Sequence, residues 1–257
     1  MTRLLTLLIL ASPIAAWTSE PKNTLGVDWA AQRLKAAGSG APDLSVRNLA
    51  QARLGAERAA LTDALRNLLA QVKGLQVATD KKMDDVMKDE KTRARVEALL
   101  HGYKVVSKRY FSDGGIELEL EVPLSLLTEV FDPEPAQQLE GLKMDGDKTN
   151  TGLVIDARGL KVVPALAPRV LDSSGNPLYS VEVLAEDARK ISGVAAYAQT
   201  LDEAKKSSKA GDKPLVVKAT KANGTDLVLS PADGAKLGAI NAFFLAEGRV
   251  VIVTNAP

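Results

Sequence analysis

A long run with helical periodicity, from Val46 to Lys73, constrains this chain most. Leu61, Leu65, Leu68 and Val72 recur at three- and four-residue steps and predict one apolar stripe. Upstream, Ala52, Ala56, Ala59, Ala60 and Ala64 predict a second face of small residues. Such a face lets a helix sit close to a sheet or to another helix. Arg47, Arg53, Glu57, Arg58, Asp63 and Arg66 mix both charge signs, which reads as a solvated face and not as a basic binding stripe. Asp43 or Ser45 can cap the start of the helix, and Gly74 can end it.

The layer to receive this helix is visible downstream. Ile116, Leu118, Leu120 and Val122 alternate with Glu117, Glu119 and Glu121, the pattern of a strand with one face on a core and one in water. Tyr103 to Phe111 supplies its hairpin partner across a turn at Asp113-Gly114. Lys104 and Lys108 are expected opposite the glutamates, in exposed pairs worth about 0.2–1 kcal/mol each.

Around these elements, Trp29 to Ala36 predicts a short helix, broken by a turn at Gly38-Ser39-Gly40-Ala41-Pro42. The Gly-Ser-Gly triplet lacks the lysine and the preceding strand of a phosphate loop. Leu75 to Ala78 predicts a short strand, and Met83 to Leu100 a helix with Val86, Met87, Val96 and Leu99 inward. Its acids Asp84, Asp85, Asp89 and Glu90 lack the order of a calcium loop and read as a solvated face. His101 is placed to cap the helix end before Gly102, and Ser125 to Phe131 predicts a helical turn.

Asp132 to Asn150, rich in Pro, Gly, Asp, Lys and Gln, reads as a linker. Beyond it the pattern changes. Apolar strands are expected at Leu153-Val154-Ile155, Leu166 to Leu171, Leu215-Val216-Val217, Leu227-Val228-Leu229 and Val250 to Val253. Helices are expected at Ala185 to Ile191, Thr200 to Ala210 and Pro231 to Ala246. Near-continuous apolar strands between helices suggest a sheet covered by helices on at least one face. The predicted fold class is therefore α+β: an N-terminal helix-plus-antiparallel-sheet domain over 29–131, a linker over 132–150, and a second mixed α/β domain over 151–257.

Residues 1–16 read as a secretory signal peptide: a basic start at Arg3, an apolar run from Leu4 to Ala11, then small residues. Cleavage is expected after Ala16, with Ala15 as the alternative. The run is too short to span a bilayer, and no later segment is long enough. Loss of Arg3 would take the formal net charge from +1 to zero, which argues against a nucleic-acid partner. With no cysteine, the chain cannot carry a lipoprotein anchor, and with one histidine it cannot build a usual zinc site. No nucleophile elbow is present to make a serine triad with His101. No cofactor is implied, and a non-enzymatic role is expected.

For a ligand, the expected places are the strand ends of the second domain or the space between the domains. The candidate ligand or structural residues are Asp156, Arg158 and Asp226, with Asp156 and Arg158 also readable as a turn or ion pair. A hydrolase built on carboxylates would use Asp156, Asp226 or Glu247, and needs two of them about 5–9.5 Å apart.

Over residues 29–125 the pattern resembles a known family. Its residues are Ala52-Arg53, Ala56, Ala59-Ala60, Asp63-Ala64, Leu68 and Val72-Lys73-Gly74-Leu75-Gln76-Val77. The pattern continues in Gly102-Tyr103-Lys104-Val105-Val106, Tyr110, Asp113-Gly114 and Val122-Pro123-Leu124, with Trp29 and Gly38-Ser39-Gly40 as lead-in. This resembles the Lpp-twenty family of bacterial envelope lipoproteins and the related N-terminal domain of flagellar assembly protein T. Thr151 to Leu160, Pro164 to Pro168, Leu171 to Tyr179, Pro214 to Ala219 and Thr225 to Ser230 resemble the C-terminal region of longer members. The resemblance implies an exported, periplasmic protein with envelope or flagellar partners and no catalytic residue. The missing cysteine departs from the lipoprotein members and favours an untethered protein. A homo-oligomer stays open.

Overall fold

The computed structural model describes residues 25–131, 143, 145 and 148–255. The signal-peptide reading of 1–16 and most of the linker reading of 132–150 lie outside the described residues. In the first half, strands β1 (Gly26–Asp28) and β2 (Arg33–Gly40) precede helix α1 (Leu49–Gly74). A small ladder of β3 (Gln76–Ala78) and β4 (Lys81–Lys82) follows, then helices α2 (Met83–Val86) and α3 (Glu90–Leu100). The hairpin β5 (Lys104–Tyr110) and β6 (Ile116–Pro123) leads into α4 (Leu124–Thr128). The main sheet is antiparallel in the order β1-β2-β6-β5.

Helix α1 lies on this sheet through its alanines. Ala52, Ala56, Ala60, Ala64, Leu68 and Val72 are buried, whereas Leu61 and Leu65 are only half-buried and Ala59 is exposed. The small-residue face is thus the main contact, not the leucine stripe. The sheet answers with glycines. A Cβ on Gly38 would lie 2.0 Å from the Ala64 nitrogen, and one on Gly40 would lie 2.0 Å from the Ala56 oxygen. Backbone therefore meets backbone, with no side chain between.

This contact corrects two expectations. Trp29 to Ala36 is not a helix, and Gly38-Ser39-Gly40 is not a turn: Arg33 to Gly40 is one strand paired along its whole length with β6. Its residues have good helix propensity, but Leu34, Ala36, Gly38 and Gly40 alternate toward the helix, and pairing overrides propensity. The cap of α1 is Asn48, whose Oδ1 accepts from the Ala50 and Gln51 amides at 3.0 and 3.4 Å. Asp43, proposed for that task, instead accepts from Ser45 in a local turn.

The expected helix from Met83 to Leu100 is two. Asp85 caps the start of α2 through the Lys82 amide, and Asp89 starts α3 by accepting from the Thr92 amide at 2.8 Å. These acids cap helix ends and break the run. His101 stands at the end of α3 as expected. On the hairpin, Glu119 is buried and does not face water. The cations beside the glutamates are Arg33 and Lys35 from β2 and Arg109 from β5, with Lys35 at 3.9 Å from Glu119. Lys104 stands opposite Glu121 as expected, but a register shift between Val105 and Ser107 puts Lys108 opposite Leu118, and Lys108 pairs with Glu57 of α1.

The second half holds β7 (Gly152–Asp156), β8 (Val170–Leu171), β9 (Pro177–Tyr179), α5 (Glu186–Ser192), β10 (Ala196–Ala198) and α6 (Leu201–Lys206). It ends with β11 (Pro214–Asn223), β12 (Asp226–Leu229), α7 (Pro231–Ala239), α8 (Phe243–Ala246) and β13 (Val250–Val253). The seven-stranded sheet runs β10-β13-β7-β11-β12-β8-β9, with β10, β13, β7 and β11 parallel. Both faces are covered. Leu153, Ile155, Val250 and Ile252 pack with Leu237 of α7 and Phe244 of α8; Val154, Val251 and Val253 pack with Ala204 of α6. Of the expected strand Leu166 to Leu171 only Val170–Leu171 pairs in this sheet, and Pro231 to Ala246 splits into two helices around Ala242.

The halves interlock. Leu166 and Ala167 donate backbone hydrogen bonds to Gln76 and Val77 of β3 at 2.9 and 3.0 Å and join the core of the first half. In return, the Trp29 ring meets Tyr197 edge-on at 5.5 Å. The Tyr197 hydroxyl bonds the Ala165 backbone at 2.9 and 3.1 Å. Thr79 donates to the Asn223 carbonyl, and Arg189 to that of Phe131. This is why Leu166 to Leu171 does not stay in one strand: its first residues are hydrogen-bonded to the other half.

Candidate functional site

The sequence candidates do not converge. Asp156, at the carboxyl end of β7, forms a two-pronged ion pair with Arg158, both contacts at 2.8 Å. The guanidinium hydrogen bond holds the Asp156 carboxyl below its ordinary range. Asp226 is buried at the start of β12 and is bound by Arg169, whose Nε donates to Oδ1 at 3.1 Å. Asp156 stands opposite Lys218 of β11, whereas Asp226 stands opposite Asn223, five residues further along that strand. At about 3.3 Å per residue this separates them by roughly 16 Å, outside the spacing of a glycosidase pair. Glu247 precedes β13, whose Val253 pairs with Asp156, so these two lie at opposite ends of the parallel strands. Glu247 is itself tied to Arg249 at 2.6 Å. Among the described residues no cluster of three or more His, Cys, Asp or Glu is placed to hold a metal ion.

A cleft lies elsewhere, between the two halves. Its volume is about 550 Å³, within the 300–1,000 Å³ of small-molecule sites. The turn joining β1 to β2 contributes Ala30, Ala31 and Gln32; α5 contributes Ala188, Ile191 and Ser192. Ser207, Ser208 and Lys209, from the loop between α6 and β11, complete it with Asp187, Ala196, Arg249 and Glu247, the one sequence candidate that reaches this cleft. The cleft sits at the amino ends of β10 and β13, the end opposite to Asp156 and to the usual ligand edge of such sheets.

Two features of the lining stand out physically. Gln32 has φ +56, the left-handed region that a side chain rarely adopts. Its conformation is held at both ends: its carbonyl accepts from the Leu124 amide at 2.9 Å, and its Nε2 donates to the Trp29 carbonyl at 2.6 Å. Lys209 turns its ammonium inward, donating to the Ser192 and Gly193 carbonyls at the end of α5, the latter at 3.1 Å. Burial pushes its amine down to about 7. No sequence signal marked this lysine among the 33 Lys and Arg residues; its enclosure is made by three segments distant in the chain.

Lys209 has a stability consequence with a defined sign. Between about pH 7 and its ordinary pKa near 10.4 the unfolded chain binds a proton that the folded protein does not. Stability from this group therefore rises with pH across that window. Urea titrations of Lys209→Met should show a flatter pH profile than the unaltered protein from pH 7 to 10. Identical profiles would remove the enclosure of the amine as an energetic factor.

A third feature is on the far side of the first half. Strand β5 is the sheet's edge and α1 does not reach over it. Val105, Val106, Tyr110 and Phe111 are exposed there, Tyr110 to 64%. Among the described residues no helix is long and apolar enough to cross a membrane.

Comparison with known proteins bears on the second half. No curated protein matches the chain. Residues 152–256 match the family model of the second domain of Treponema pallidum Tp0624. The matched segment begins with β7 and contains the whole seven-stranded sheet. It lies outside residues 29–125, so the likeness to Lpp-twenty proteins and to flagellar assembly protein T draws no support from it. The second half of this chain is thus similar to a domain found in a spirochaete protein.

Proposed function

We propose that the protein is exported to the periplasm and acts there by binding another envelope protein, without catalysis, in envelope maintenance or flagellar assembly. The observation that carries this reading is the β5 edge, where Val105 and Tyr110 are exposed on the sheet face that α1 packs against, beyond the helix. An edge strand offers unpaired backbone groups to an added strand. A second copy of this chain fits poorly. Two-fold pairing centred on Lys108 or Arg109, in the regular part of β5, would set like charges directly opposite. Lys104 faces Glu121 in register, but Glu121 is already held by Arg33 and Lys35, which leaves a surplus cation at the edge. The partner is therefore an extended segment of a different protein, apolar on one side and acidic near Lys104. The family likeness read over residues 29–125 belongs to this proposal and points the same way.

Photo-crosslinking in intact cells tests it. A crosslinker at Val105 or Tyr110 should yield an adduct with one envelope protein, lost on Lys104→Glu and absent from a crosslinker at exposed Asp202 on α6. The processed protein should begin at Trp17. An uncut chain retained in the cytoplasm, or the same adducts from Asp202, would overturn the proposal.

A further inference from the structure

The exposed edge says nothing of the cleft, which asks for an explanation of its own. Three observations meet there. An ammonium group has three N–H donors. In its protonated form Lys209 makes two hydrogen bonds among the described residues, to the Ser192 and Gly193 carbonyls, which leaves one donor on a half-buried group in the cleft wall. A buried donor without a partner is costly, and an anionic oxygen is its strongest complement. Next, Ile191 lines the cleft and is 79% exposed, a large apolar side chain with nothing over it. With Ala30, Ala31, Ala188 and Ala196 it makes a shallow wall suited to small aliphatic groups. Last, two cations and two acids share the lining, and Lys209 is the cation set inside it. Arg249 is paired with Glu247, and Asp187 of α5 stands exposed at the rim.

We propose that the cleft between the two halves binds the free carboxyl terminus of a peptide with small aliphatic side chains, its carboxylate completing the Lys209 ammonium and its last side chains lying on Ile191 and the alanines. The cleft volume of about 550 Å³ suits a few small residues and not a folded domain. The hydroxyls of Ser207 and Ser208 on the lining offer partners to the peptide carbonyls and amides. The held conformation of Gln32 keeps that wall in place before binding, which lowers the ordering cost. This site is independent of the β5 edge, and either can fail without the other.

The test uses N-acetyl-trialanine as the probe, followed by the methyl resonances of Ile191 in the full chain. The free acid should shift them saturably. The C-terminal amide of the same peptide should bind at least about tenfold more weakly, as expected when one charge-assisted contact is lost. Lys209→Met should abolish the difference between acid and amide. Ser208→Trp, at an exposed lining position, should block binding of both without disturbing the core, and so covers the case in which Lys209→Met fails to fold. Equal binding of acid and amide, equal binding of acetate and the peptide, or no saturable shift at all would overturn the proposal.

Discussion

Gly38→Ala is expected to destabilise the protein by about 3 kcal/mol, the upper end of what overpacking usually costs. The new methyl would stand 2.0 Å from the Ala64 nitrogen and 2.5 Å from the Ala60 oxygen. Neither atom can turn aside, because both belong to the backbone of α1. The helix must lift from the sheet, and the alanine contacts at Ala56, Ala60 and Ala64 loosen together. Gly55→Ala is the control. It lies in the same helix with nothing within 4 Å of the added carbon. There the gain in helix propensity should stabilise by about 0.5–1 kcal/mol. Urea unfolding of both variants reads the contrast. A Gly38→Ala protein within 0.5 kcal/mol of the unaltered one, on the ~1 kcal/mol scale typical of single substitutions, would mean that helix and strand are not in backbone contact.

The second large effect belongs to Arg169→Leu, expected to cost about 3 kcal/mol, because it leaves the buried Asp226 carboxylate without its cation. The Arg169 side chain is itself half in solvent, so the penalty falls on the carboxylate left behind. Removing both charges in Arg169→Leu/Asp226→Leu should therefore cost less than removing the arginine alone. Thermal or urea unfolding of the two variants decides it. A double variant worse than the single one would show that the pair itself stabilises the strand start, beyond relieving a buried charge.

Asp226 shows how far the chain could be read in advance. Its place at a strand start was legible from Leu227-Val228-Leu229, but its partner was not, since Arg169 lies 57 residues away in sequence. The same division runs through the fold. Strand β6 announced itself because one face is apolar and one acidic, and α1 because its repeats persist over many turns. Strand β2 did not, because glycine and alanine replace the usual apolar alternation wherever α1 comes close. The break between α2 and α3 was hidden by acids that looked like a solvated face and are caps. Asp156 and Arg158, two residues apart, form the ion pair that their spacing allowed. Lys209 was invisible, because enclosure of an ammonium arises only when the β1–β2 turn, α5 and the α6–β11 loop meet.

The interlock of the two halves has a consequence for whatever binds them. Leu166 and Ala167 are stitched to β3, and Trp29 leans on Tyr197, so the placement of one half on the other is set by packing and not by the length of residues 132–150. The interval between the β5 edge and the cleft is then set by this packing. A ligand that reaches both gains most when its own span matches that interval; a shorter one gains nothing from the second contact, and a longer one gains progressively less. Selectivity by length follows from the shared core, without any further side chain being needed to read the ligand.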